Sequence, residues 1–367
     1  MTKFHLEWEA PPSRVFRTGV SLHSHTLHSR ENLDFIYRAA DKAAVLKCVL
    51  ERGGRHFRSR HGEPLNLSRG WWTPPLGPHA AWELEATQLR KLGLHPLVSL
   101  TDHDDIEAPV SLQLLRESAG APISVEWTVP FGPTFFHIGV HNLPQSEARW
   151  LFDAMTKHKD VSELLAELSA RPDVLLVFNH PMWDEKGIGD AAHRGAVDEF
   201  LRQNGRFLHA FELNGLRPWA ENQRALLLAR ECSKPVVSGG DRHAIEPNSV
   251  VNLTNRATFA EFAEDVRAGV SDVLILRHYR EAHGSRIFHN MLDVLRTYDQ
   301  HVHGWRLLSD RVFYQMQNGL TQSLTQWFEK KTPLPVALFV GALDLAAQPK
   351  VRRWLKSGFP GREEVVL

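Results

Sequence analysis

What most constrains this chain is a recurring unit: a short apolar run, mostly four to six residues of Val, Ile, Leu or Phe, that stops at a polar cluster. Such runs occupy 19–22, 96–100, 123–125, 135–140, 174–178, 208–213, 235–238 and 273–276. Strands buried on both faces have this length and makeup. Between them, segments 81–92, 161–170, 191–203, 219–232 and 259–268 carry apolar residues at helical spacing. Strand alternating with helix predicts an α/β fold with a parallel sheet. Seven or eight such units predict a closed barrel with its chemistry at the carboxyl ends of the strands, where the polar clusters lie.

Two stretches break the rhythm and divide the chain. Residues 1–280 carry the strand-and-helix units, interrupted at about 35–80 by ERGGRHFRSRHGEPLNLSRGWWTPPLGPH. This insertion is rich in Gly, Pro and Arg and lacks clear periodicity, which predicts a long loop acting as a lid over the barrel mouth. From 281 to 367 the strand pattern stops, and 287–298 and 312–328 have apolar residues at helical spacing, which predicts a helical C-terminal extension.

Composition narrows the class. Lys plus Arg and Asp plus Glu both number 43, so no global field draws the chain to nucleic acid or to an anionic membrane. Two cysteines, Cys48 and Cys232, cannot build a disulfide framework and suit a reducing cytosol. The first twenty residues lack the apolar stretch of a signal peptide, and the most apolar run, 334–343, is too short to span a bilayer. A soluble, cytoplasmic protein is expected.

The 21 histidines matter through their neighbours. In LHSHT, His23 and His25 are two apart at a strand end and share a face, so both imidazoles can reach one cation. In LVSLTDHDD, three carboxylates, Asp102, Asp104 and Asp105, flank His103 and would repel one another if buried without a cation. Glu126 follows an apolar run; FFHIGVH carries His137 and His141; His180 precedes Pro181 at a strand end; and in VVSGGDRH two glycines permit a sharp turn before Asp241 and His243. Each alone has an ordinary reading as a solvated loop, a helix cap or a satisfied core histidine.

Taken in order, HxH, TDHD, E, HIG, HP and GDxH, each after a predicted strand, resemble the polymerase and histidinol phosphatase (PHP) superfamily over roughly residues 19–280. EATQLRKLGLHPLVSLTDHDD is similar to that family's helix, Gly-Leu turn and second metal strand, and FELNGL to another of its strands. The resemblance implies a distorted (β/α)7 TIM-like barrel that hydrolyses phosphate esters with a metal-activated water. It implies one ion on His23, His25, Glu126 and Asp241. Glu126 would bridge to a second ion on His137 and His180, and a third would lie on His103 and His243 with an acidic residue from the loop after HxH. Two to three divalent cations are thus expected, and mixed imidazole and carboxylate ligands suit Zn, Mn or Fe.

One departure stands out. Where the family reads HxHTxxSD, this chain has HSHTLHSRE, with Arg30 in place of a third-metal carboxylate. Glu31 can replace it, Arg30 can instead grip substrate phosphate, or Arg30 points to solvent. Asp102 and Asp104 are expected to orient His103 or accept a proton, His243 to protonate a leaving group if free of metal, and His141 to be structural. The expected substrate is a small phosphorylated molecule or a nucleotide; Arg52, Arg55, Arg58, Arg60 and Arg69 with Trp71 and Trp72 offer a basic, aromatic mixture for phosphate and base, while the net charge does not indicate nucleic acid. Two other classes compete. Metal-dependent amidohydrolases also start with HxH but commonly carry a bridging Lys where this chain has Glu126, and a degenerate scaffold module would not need eight candidate ligands.

Overall fold

In the computed structural model, residues 2–42, 44–157, 160–296, 307–327, 334–359, 361–362 and 365 are described. Their strands are β1 (Thr2–Leu6), β2 (Thr18–Ser21), β3 (Glu31–Asn32), β4 (Gly70–Trp72), β5 (His95–Val98), β6 (Ile123–Phe131), β7 (Thr134–Leu143), β8 (Leu175–Phe178), β9 (Ala210–Asn214), β10 (Val236–Gly239), β11 (Val250–Thr254), β12 (Ser271–Ile275), β13 (Val312–Gln315) and β14 (Thr321–Ser323). All eight apolar runs form strands, and the five helical segments form helices. The buried β8, LLVF, has the composition that fits a strand covered on both faces.

The strands make three sheets, ordered β1-β12-β11-β2-β5, β10-β9-β8-β7-β6 and β14-β13-β4-β3. The architecture is mixed α/β, and none of the sheets closes into a barrel. The expectation of one parallel, closed sheet fails for local reasons. Gly132, in the left-handed region at φ 55°, turns β6 back on itself so that β7 runs antiparallel to both neighbours. In the other large sheet β11 returns antiparallel between β12 and β2. Between the two five-stranded sheets the backbone pairing is limited, among the described residues, to isolated parallel bridges, Ser24 to Arg242 and His103 to Glu126, beyond the carboxyl ends of β2, β5 and β10. A regular ladder cannot continue there, because His23 and Asp241 leave the extended region, with φ of 64° and 51°.

Side chains from both sheets and their covering helices fill the interior. Phe136, Phe178, Phe200 and Phe211 pack as one aromatic group, each side chain contributing about 2–3 kcal/mol by burial. Val20, Leu22, Val177 and Val237 pack against Phe262 of helix Phe259–Arg267. That core holds the strand ends in place for what they carry.

Two further expectations change. Residues 35–80 are not a structureless loop: helices Phe35–Lys42 and Ala44–His61 fill most of the first half, with Phe57 buried beside Tyr314 and Trp327. Segment 312–328 is not helical apart from the short turn Leu324–Trp327, and Phe328 lies outside the described residues. Gly319, at φ 84°, closes a hairpin between β13 and β14. The segment after 281 is therefore not purely helical, although helices His283–Leu295, Leu334–Ala346 and Pro349–Lys356 belong to it; of the predicted helix 287–298, residues 297–298 lie outside the described residues. No described helix is long and apolar enough to cross a membrane.

Candidate metal centre

The residues beyond the carboxyl ends of β2, β5, β8 and β10 converge with two from the β6–β7 hairpin. His23 and His25 follow β2, His103 follows β5, His180 follows β8, and Asp241 and His243 follow β10, while Glu126 and His137 lie within β6 and β7. His23, His180 and Asp241 all have positive φ, at 64°, 26° and 51°. Each such backbone conformation costs about 1–3 kcal/mol in a non-glycine residue, so the surrounding fold imposes it.

Glu126, fully buried, is the hub. Its Oε2 lies 3.0 Å from His23 Nε2, 3.3 Å from His103 Nδ1 and 3.4 Å from His25 Nε2, and its Oε1 lies 3.2 Å from His180 Nε2 and 3.4 Å from His137 Nδ1. Asp241 Oδ1 is 3.6 Å from His23, 3.5 Å from His25 and 3.7 Å from His243. Glu31 completes a further group, 3.5 Å from His103 Nε2 and 3.4 Å from His243 Nε2. Four overlapping sets of candidate ligands result: His23, His25 and Asp241; His23, Glu126 and His180; His103, Glu126 and His137; and His25, Glu31, His103 and His243.

Residues not singled out in the sequence hold these groups in place. Glu212 accepts from His23 Nδ1 at 2.6 Å and from the His180 amide at 2.8 Å, and Asn214 donates to Glu212 and to Asp241. Asn179 donates to Glu126 at 2.9 Å. Ser29 donates to Glu31 and accepts from the His103 amide. Gly239 is required by this arrangement: a Cβ there would run into the Glu212 carboxylate and sit 3.0 Å from His23 Cβ. The signal in sequence was FELN together with GGD, and its meaning depends on β9 and β10 being neighbours.

Three expected residues fall elsewhere. Asp102 turns to the Thr26 amide and hydroxyl rather than to His103, and burial pushes its carboxyl up to about 7. Asp104 accepts from the Thr128 amide at 2.9 Å. Arg30 is exposed, with its guanidinium 5.2 Å from the centre of the Trp71 ring, while Glu31 beside it reaches the histidines. His141 is buried against Ser99 at 2.8 Å, in the wall rather than among the ligand sets. At the rim, Arg217 stacks on Trp183 at 3.7 Å, Lys186 lies over Phe135 at 5.2 Å, and Trp72 faces His243 at 5.9 Å.

Electrostatics follow from crowding. Burial works to raise the carboxyls of Glu126, Glu31 and Asp241, yet the imidazoles around them hold all three well below the usual range. Burial, with His243 next to it, brings His25 down to about 4, and burial keeps His137 well below its ordinary value. Burial works to lower His23, His103 and His243 as well, but the carboxylates around them hold these three imidazoles above their ordinary value, so a cation bound there would displace protons from them. Among the described residues, the Nε2 of His25 and the Nδ1 of His103 are buried with no hydrogen-bond partner, which is costly unless something else takes their lone pairs. Ligand atoms bound at about 2.1 Å around one tetrahedral ion stand about 3.4 Å apart, close to the 3.0–3.7 Å separations here. The donor set fits divalent metal.

No family model matches the chain, and no curated protein does. Among solved structures it is similar to PsfC from Pseudomonas syringae PB-5123, with TM-score 0.43 and 13% identity over 76% of this chain and 99% of that one. A candidate metal-dependent phosphoesterase from Bifidobacterium adolescentis gives TM-score 0.33 and 15% identity over 53% of this chain and 92% of the other. An amidohydrolase from Chromobacterium violaceum with bound sulfate and no metal gives TM-score 0.31 and 15% identity over 47% and 84%. None is close enough to lend this chain an activity, so what the site can do has to come from its own residues.

Proposed function

We propose that the chain is a metal-dependent hydrolase of phosphate esters. The observation that carries this reading is the position of Glu126, whose two carboxylate oxygens face separate sets of imidazoles within 3.0–3.4 Å. One carboxylate shared in this way suits adjacent cations. His23, His25 and Asp241 would hold one, His137 and His180, 3.4 Å apart, would hold a neighbour across Glu126, and Glu31, His103 and His243 form a further set with His25. Bound there, divalent cations supply a water of lowered pKa and neutralise charge on phosphoryl oxygens.

The rest of the work falls to the chain. Glu212 fixes His23 through its Nδ1, which leaves Nε2 turned to the site, and Asn179 holds Glu126 in one rotamer. Arg217, 3.9 Å from Asp241 and stacked on Trp183, presents a fixed cation to an anionic substrate, and Lys186 and Arg30 add charge at the rim. A cation beside the buried ligands, as Arg217 supplies, favours a phosphate ester over a neutral amide. A bridging Glu126, where related amidohydrolases commonly have Lys, points the same way.

The test is a comparison of 4-nitrophenyl phosphate, bis(4-nitrophenyl) phosphate and a 4-nitroanilide with the purified chain before and after chelation, alongside elemental analysis. Phosphate ester hydrolysis should vanish on chelation and return with Zn, Mn or Fe. Metal-dependent turnover of the anilide alone would move the chain to the amidohydrolase class.

A further inference from the structure

We propose that the cavity beyond the carboxyl ends of β1 and β12 is a second anion site, separate from the metal centre, that takes the phosphate chain of a small polyphosphate. The cavity measures about 450 Å³. It lies at the edge of the sheet where β1 pairs with β12, with β11 between that pair and the strand leading to His23. Trp8 follows β1, Arg277 and Arg280 sit in the turn that follows β12, and Arg362 is brought to the same wall by a backbone bridge to Glu281.

Among the described residues, positive charge is in excess there. Of the carboxylates nearby, Glu281 is held by Lys356 at 2.9 Å and His278 at 3.2 Å, and Glu7 accepts from the backbone amide of Arg277. Among the described residues, no carboxylate pairs with the guanidinium groups of Arg277, Arg280 or Arg362. Arg277 and Arg362 are exposed and Arg280 half-buried, and three guanidiniums lining one cavity favour an anion bound between them. Stacking of Arg280 over Trp8, at 4.9 Å, restricts the plane of one of them and lowers the entropy lost on binding.

A second observation points the same way. Helix His283–Leu295 begins at this wall, where Ser285 lines the cavity, and its first turn has no side-chain cap and no acidic residue. The positive end of the helix dipole, with no carboxylate in that turn to offset it, favours an anion at that place. The volume exceeds what a single phosphate fills, and three separated cations match charge spread along a chain. Trp8 is engaged by Arg280 and Phe359 by Phe288 at 5.4 Å, so the charged groups of the lining, rather than its rings, carry the recognition. Free tripolyphosphate and the tail of a nucleoside triphosphate share this chemistry.

Calorimetric titration of the metal-loaded full chain with tripolyphosphate, and separately with ATP, tests the assignment against the double variant Arg277→Ala/Arg280→Ala. Neither residue belongs to the metal centre, so metal content and 4-nitrophenyl phosphate turnover serve as controls for folding. The variant should lose one tripolyphosphate site per chain, or bind it about tenfold or more weakly, with both controls unchanged. Arg277→Lys/Arg280→Lys should retain part of the affinity. Equal stoichiometry and affinity in wild type and the Ala variant overturns the proposal, as does wild-type binding that disappears entirely on chelation. Binding of ATP without tripolyphosphate would assign the cavity to the nucleoside, and full competition by sulfate at equal ionic strength would reduce it to unspecific attraction; either result overturns the phosphate-chain reading.

Discussion

Glu126 is asked to do more than any other side chain in the molecule, since removing its charge unlinks five imidazoles at once. Glu126→Gln keeps the shape but offers a weak ligand, so metal content should drop and ester turnover should fall by about a hundredfold or more. Full metal occupancy with normal turnover would remove it from the bridge. Arg30 and Glu31 are neighbours in sequence with different places in the structure: Arg30 on the exposed face of Trp71, Glu31 against His103 and His243. Glu31→Gln should lower the metal count measured by elemental analysis. Arg30→Ala should leave that count unchanged and alter turnover by no more than about tenfold, because an exposed cation over an aromatic ring contributes little. A metal count that falls with Arg30→Ala and holds with Glu31→Gln would reverse the assignment.

At the level of elements, the third sheet is the unexpected component. β3 comes from just before the insertion and β4 from within it, β13 and β14 come from the C-terminal part, and Glu31 lies in β3. Arg311, fully buried just before β13, donates to Thr73 O at 2.9 Å and to the Val294 and Arg296 carbonyls at 2.7 and 3.2 Å. Arg311→Met should cost about 2–4 kcal/mol in urea unfolding, because three carbonyls lose a donor. A loss under half a kcal/mol would show that the tie is not structural. A second tie, His209, accepts from the Leu176 amide of β8 at 2.9 Å and sits beside Arg267. Burial, then the charge of Arg267, depresses its pKa to about 3. The neutral form is thus favoured in the folded state, so stability from this group is complete above about pH 6.5, the unfolded value, and declines as pH falls toward about 3. His209→Gln should remove about one proton's worth of slope from stability against pH in that window, and an unchanged slope would mean the imidazole titrates normally.

How much of this could be read in the sequence depends on how local the signal is. The eight apolar runs announced their strands because burial on both faces leaves little choice of residue. β1, TKFHL, is only partly buried and mixes polar residues, and β11, VVNLT, is interrupted by Asn252, whose side chain accepts from the Ser238 amide. Both went unread. Gly53 and Gly54 suggested a loop in what is helix Ala44–His61, and they are tolerated because neither position has a neighbour within 4 Å to miss. The Asn318-Gly319 pair is a hairpin signal that the helical spacing across 312–328 concealed. Ligand candidates were legible as His and acidic residues at strand ends, whereas Glu212, Asn179 and Ser29 depend on which strands are neighbours, and no local pattern encodes that.

For the whole molecule, the concentration of charge at one point sets how it responds to losing cations. Each ion bound to the folded chain alone adds about 2.7 kcal/mol when present at a hundred times its Kd. Chelation should therefore lower the Tm by several degrees in scanning calorimetry, and restoring metal should recover it. An identical Tm with and without chelator, in a chain shown to have carried metal, would mean that the ions bind folded and unfolded states alike.

The third sheet also has a consequence for synthesis on the ribosome. The ligand sets draw on residues up to His243, but β4, which holds β3 and thus Glu31, pairs on its other side with β13 at Val312–Gln315. At an elongation rate of about 5–20 residues per second those later residues follow His243 by roughly 4 to 14 s. During that interval the nascent chain would carry the groups around Glu126 already gathered while the one around Glu31 still lacks its brace. Competence at the metal centre would then appear in two stages, the second waiting on the last quarter of the chain.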